Sequence, residues 1–93
     1  MLRGYIAARS GNRREAEQIR ASFLDQWTRT KRGAQAIAVV DAGLGDIDSA
    51  FVWLNRAIDD QTVTFYIMMP LFKELHADPR FEEFNKRLRA QKR

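Results

Sequence analysis

Residues 42–59 read AGLGDIDSAFVWLNRAID, and the fold follows from them. Gly45 can take a left-handed backbone conformation that a residue with a Cβ resists, so it ends whatever helix precedes it. Asp46 offers a short side-chain oxygen to the free N–H groups of a new helix. Ile47, Ala50, Phe51, Leu54, Ala57 and Ile58 then recur at helical spacing and give one apolar stripe. Before the turn, Ala34 to Ala42 reads as another helix, with Ile37, Ala38 and Val40 available for burial. The spacing predicts a helical hairpin.

The same pattern stands 34 residues earlier. Ala8, Gly11, Asn12, Ala16, Ile19, Leu24 and Asp25 correspond to Ala42, Gly45, Asp46, Ala50, Trp53, Ile58 and Asp59, and Ile6 corresponds to Val40. Few of these are identities. Their placement carries the match: a turn glycine, a cap, and a small residue one turn into the next helix. In this first copy Leu2 to Arg9 is the opening helix. Asn12 and Glu15 have the spacing of a capping box. Ala16, Ile19, Phe23, Leu24 and Trp27 form the following stripe, and Thr28 to Gly33 is a polar, basic connection.

After Asp60 the pattern changes. Val63 to Met69 is a continuous apolar run that composition would allow as a buried strand; a third helix due at this point makes helix the reading adopted. Pro70 ends or kinks it. Leu71 to His76 is a short turn or one-turn helix. Asp78-Pro79 is a cap followed by proline at the first helical position. The inner stripe of that last helix is Phe81, Phe84 and Leu88, and the tail from Arg89 to Arg93 frays.

A 34-residue hairpin with Leu-Gly-Asp before its second helix resembles the tetratricopeptide repeat (TPR). Gly45, Ala50 and Ala57, then Gly11, Ala16 and Gly4, fall at the family's small positions. The chain departs from the pattern at Ala34, where a large aromatic is usual, and at Thr28 and Thr62, where a proline usually closes the repeat. Ala-Phe-Val-Trp-Leu-Asn-Arg-Ala at 50–57, Pro-Leu-Phe-Lys-Glu-Leu at 70–75 and Asp-Pro-Arg-Phe at 78–81 are similar to the end of TPR regions attached to bacterial regulators such as adenylate cyclases and winged-helix transcription factors. The resemblance implies a single all-α domain over 1–93. It would be a TPR-like superhelix of about two repeats with a C-terminal capping helix. Repeat one is 1–30, truncated at its start. Repeat two is 31–64, and the third hairpin or capping segment is 65–90.

The resemblance also implies a function: a non-enzymatic protein–protein interaction module of a larger, cytoplasmic bacterial regulatory protein. Such modules bind a peptide or partner protein on the concave face, lined by the first helix of each hairpin. That places Tyr5, Arg9, Arg32, Gln35, Val39, Tyr66, Met69 and Lys73 on the binding surface. Tyr66 and Met69 have an equal alternative, packing beneath the last helix. The asparagines with which chaperone-binding members clamp a terminal carboxylate are here Tyr5 and Ala36, which argues against that ligand. A structural or oligomerisation spacer is the alternative reading, with a basic nucleic-acid-binding accessory domain behind it.

Composition narrows the remaining classes. The chain has 93 residues, 45% of them hydrophobic and 30% charged, and no cysteine, so disulfides, zinc–thiolate sites and cysteine nucleophiles are excluded. No apolar run reaches the roughly 20 residues that span a bilayer. His76 is the only histidine, with Glu74 and Asp78 nearby, and reads as structural or solvated. Asp46 is a cap, while Asp48, Asp59 and Asp60 read as solvated helix positions rather than metal ligands. Neither a cofactor nor a metal site is expected. The Arg-rich start, with four arginines and no acid through Arg14, could be a transit peptide, but the repeat accounts for it as a helix. Apolar Leu2 and Ile6 at that end lead to an expectation of association, such as a homodimer.

The net charge of +4 suggests nucleic acid at first sight. It is unevenly spread. Residues 1–40 hold eight bases and three acids, residues 41–78 two bases and seven acids, and residues 79–93 six bases and two acids. A basic–acidic–basic chain fits matched packing between neighbouring hairpins, or between two copies, better than a coat for polyanions.

Overall fold

A computed structural model describes residues 2–61 and 73–91. Among these residues the chain is all-helical. The helices are α1 (Leu2–Arg9), α2 (Arg13–Thr30), α3 (Ala34–Leu44), α4 (Ile47–Asp59), α5 (Lys73–His76) and α6 (Pro79–Gln91). The apolar run from Val63 to Met69 and the proline at 70 lie outside the described residues, as does the end of the tail.

The 34-residue period is written in the backbone hydrogen bonds. At the end of α1 the N–H of Asn12 donates to the Ala7 carbonyl (2.9 Å) and that of Gly11 to Ala8 (3.3 Å). At the end of α3 the N–H of Asp46 donates to Asp41 (2.9 Å) and that of Gly45 to Ala42 (3.1 Å). Both are Schellman closures, which need the left-handed glycine at their centre; Gly11 has φ 87° and Gly45 φ 86°. The caps recur as well. The Asn12 side chain accepts from the Glu15 N–H (3.3 Å), and Asp46 accepts from that of Ser49 (3.2 Å). The capping box at Asn12 is only half formed. Its backbone N–H already serves Ala7, so Glu15 instead accepts from the Asn12 side-chain amide (2.9 Å).

Helix α1 packs on α2 and α3, α3 also packs on α2 and α4, and α6 covers α4. Helix α3 is therefore the centre of the molecule. Every residue from Ala34 to Gly43 is buried, more than the three apolar positions expected from its sequence. A helix that is apolar on nearly all sides finds partners on all sides. Small residues set the spacing. Ala16 and Ala50, one period apart, are both fully buried. A Cβ on Gly4 would stand 2.5 Å from Val40 Cγ2, and one on Gly43 would stand 3.0 Å from Ala8 Cβ and 3.1 Å from the Tyr5 carbonyl oxygen. Two glycines thus let α1 and α3 approach closely.

The main core joins Tyr5, Val39, Phe51, Leu54 and Ile58 to Leu75, Phe81 and Phe84. Each large side chain so buried contributes about 1.5–3 kcal/mol before entropy is counted. The expected stripe of α6 is seen: Phe81 and Phe84 are buried, and Leu88 packs at the edge of the cluster. Asp78 starts this helix, its carboxylate accepting from the Arg80 N–H (2.9 Å), with Pro79 in the first turn. A second cluster, Ala7, Ala16 and Val40 with Ile19 and Phe23, holds α1, α2 and α3 together.

Candidate functional site

The residues expected on a concave binding face have three fates. Tyr5, Gln35 and Val39 are buried, at 5%, 4% and 0% exposure, so they cannot form an open surface as expected. For Tyr5 and Val39 the reason is the main core, in which α1 and the central α3 meet Phe51, Leu54 and Ile58 of α4. Arg9, Arg32 and Lys73 are exposed, as their charge requires. Tyr66 and Met69 lie outside the described residues. Arg9 ends α1, whereas Arg32 precedes α3 and Lys73 opens α5, so the exposed three come from separate elements.

Most other charges serve the fold. The Arg20 guanidinium on α2 forks onto both carboxylate oxygens of Asp41 on α3, and its Nη2 lies 3.4 Å from the Ser49 hydroxyl. The Ser49 hydroxyl donates to Asp41 Oδ2 (2.7 Å). Asp41 is thus a buried carboxylate with donors from two neighbouring helices. A lone acid in the run Ile-Ala-Val-Val-Asp-Ala-Gly was its signal in the sequence, since a core position tolerates a charge only when it is paired. Arg80 reaches from α6 to Asp48 on α4 (2.7 Å), and Arg87 reaches to Asp59 (2.6 Å) and Asn55 (2.8 Å). All three links join the basic outer segments to the acidic middle one. The matched packing expected between hairpins is therefore realised within the chain.

Trp27 of α2 and Trp53 of α4 meet edge to face, with centroids 5.0 Å apart. The Trp27 indole N–H donates to Asp60 (2.7 Å), Lys31 Nζ stands 4.0 Å from the Trp27 ring, and the Arg56 guanidinium lies near both rings. These tryptophans join the two hairpins. His76 lies against Phe81, with ring centroids 4.4 Å apart. Asp46 caps a helix as expected; Asp48 and Asp59 are the solvent-exposed helix positions expected of them, each also holding an arginine, whereas Asp60 is half-buried and accepts from Trp27. No group of three or more metal-ligating side chains occurs among the described residues, and no described helix is long and apolar enough to cross a membrane.

The side chains of Arg9, Arg14 and Arg32 form no ion pair or ring contact among the described residues. Arg14 was not among the residues expected on the concave face, because nothing local separates it from Arg13, which pairs with Glu17 (3.0 Å). Two hollows flank this basic half. One, of about 380 Å³, runs along α2 beside the Arg20–Asp41 pair, with Leu24 and Leu44 in its floor. The other, of about 460 Å³, lies on the outer side of the first hairpin around Ile6, an exposed isoleucine (53%). The side chain of Leu2 lies outside the described residues. Compared with known protein families, curated proteins and solved structures, the chain has no match.

Proposed function

We propose that this chain is a non-enzymatic protein-interaction module, a TPR-like superhelix of about two hairpins with a capping helix, which binds an acidic peptide or protein segment. The guanidiniums of Arg9, Arg14 and Arg32, which have no ion-pair partner among the described residues, carry this reading. A guanidinium held by a helical scaffold is a ready donor for a two-pronged bond to a partner's carboxylate. Recurrence of turn, cap and small residues at one period supports the repeat scaffold. Its setting would be a larger cytoplasmic regulatory protein of a bacterium. Tyr5, Gln35 and Val39 then act from beneath, fixing α1, which ends in Arg9, and α3, which Arg32 precedes.

The test is selection of a displayed random-peptide library on the protein, followed by titration calorimetry of the enriched sequences. Acid-rich sequences should emerge. Reversing Arg9, Arg14 and Arg32 to Glu together should abolish their binding while leaving the helical circular-dichroism signal intact. Enrichment of no sequence, or binding that survives the triple reversal, refutes the reading.

A further inference from the structure

The meeting of Trp27 on α2 with Trp53 on α4 also gathers charge at the surface. Both tryptophans are half-buried, and two exposed cations lie over their rings. Arg56 of α4 has its guanidinium carbon 5.1 Å from the Trp27 centroid and 5.4 Å from that of Trp53. Lys31 ends α2 in a left-handed conformation (φ 57°). Its N–H donates to the Trp27 carbonyl (2.7 Å), and its Nζ stands 4.0 Å from the Trp27 ring. Neither cation has an ion-pair partner among the described residues. Val52, 55% exposed, stands one turn before Arg56 on the same side of α4.

Resting on the interaction reading above, we propose that this patch is where the acidic segment docks: its carboxylates pair with Arg56 and Lys31, and an adjoining apolar side chain covers Val52 and the tryptophan rings. Three observations select this occupant. A guanidinium held over aromatic rings keeps its N–H donors in its own plane, so the rings position Arg56 and leave those donors for a carboxylate. Tryptophan and arginine are among the side chains that carry most of the binding energy at protein interfaces, and here they stand together beside an exposed aliphatic residue. Asp60 accepts from Trp27 Nε1 (2.7 Å) and lies one turn beyond Arg56, so a continuous polyanion such as a nucleic acid meets like charge there, whereas a short acidic segment ends before it. The patch also continues into Arg32, which follows Lys31 in the chain.

The probe is a synthetic peptide of glutamates interspersed with leucines; its control carries lysine for every glutamate. Trp27 and Trp53 are the chain's two tryptophans, so intrinsic fluorescence reads this patch. The expected result is a saturable change in emission with the acidic peptide only. Arg56→Gln with Lys31→Gln should weaken binding at least tenfold, and Val52→Asp should do the same, each with the helical circular-dichroism signal intact. Ile6→Ser, at the other exposed large apolar residue among those described, should leave binding unchanged. Equal binding of the lysine peptide, full affinity in the double variant, or tighter binding of a single-stranded oligothymidylate overturns the proposal. So does an emission change that rises with protein concentration alone, which would make a second copy the occupant. Constant emission overturns it as well; where calorimetry still detects an acidic peptide from the library, the proposed function stands.

Discussion

Removing Arg20 should cost more stability than removing Asp41, although the two share one ion pair. The asymmetry follows from exposure: the Asp41 side chain is 2% exposed, that of Arg20 27%. In Arg20→Ala the carboxylate stays inside the protein with only the Ser49 hydroxyl still donating to it at 2.7 Å. An uncompensated buried charge of this kind costs about 3–5 kcal/mol. In Asp41→Ala the guanidinium can turn into the solvent-filled hollow beside Glu17 and recover water. What is lost is the bond itself, about 1.5–3 kcal/mol, offset in part by alanine's higher helix propensity, up to about 0.7 kcal/mol. Urea unfolding followed by circular dichroism should therefore give about 4 kcal/mol for Arg20→Ala and about 2 kcal/mol for Asp41→Ala. The double variant should lie close to Asp41→Ala, because no buried charge remains in either. A domain of this size has roughly 5–14 kcal/mol in all, so both effects are measurable. An Arg20→Ala cost equal to or below that of Asp41→Ala refutes the reasoning, as does additivity of the two in the double variant.

Gly4→Ala should destabilise by about 1–2 kcal/mol despite a propensity gain of about 1 kcal/mol, because its Cβ meets Val40 Cγ2. Adding Val40→Ala should recover part of that loss in thermal unfolding, and a stabilising single variant would show that α1 and α3 are not in close contact. Trp27→Phe keeps the ring but not the indole N–H, leaving Asp60 without that donor, and should cost about 1 kcal/mol in urea unfolding. Hydrogen bonds from Arg80 hold the Asp78 carboxyl below the usual carboxylate range. With its folded pKa lowered, Asp78 stabilises the fold above its unfolded pKa, and that contribution is lost as pH falls through the folded value. Asp78→Asn should flatten that part of the acid limb of the stability curve, and an unchanged limb would refute the assignment.

Local chemistry was readable because its causes are local. Gly11, Asn12, Gly45 and Asp46 act within one turn of backbone, so their roles in ending and starting helices are written in the residues themselves. The stripe Phe81, Phe84 and Leu88 was readable for the same reason: helical spacing places these side chains on one side whatever they face. The binding face was much less readable. Tyr5, Gln35 and Val39 lie at positions that an open superhelix would expose, and whether such a position meets solvent depends on which helix lies across it. Arg9, Arg32 and Lys73 were placed correctly on the surface because a charged side chain almost always stays there. Their belonging to separate elements has no local signal.

The uneven charge shows the division most clearly. The chain's own order of residues fixes that bases lie at both ends and acids in the middle, and that the turns recur every 34 residues. Those facts need no neighbours, since caps, turns and stripes depend on residues a few places apart. Only the tertiary structure decides that Arg20, Arg80 and Arg87 reach acids on a neighbouring helix while Arg9, Arg14 and Arg32 have no such partner among the described residues. Pairing across 21 to 32 residues depends on which helices touch. That contact is set by the summed packing around α3, where two glycines and two alanines hold the helices close enough for a guanidinium to cross from one to the next.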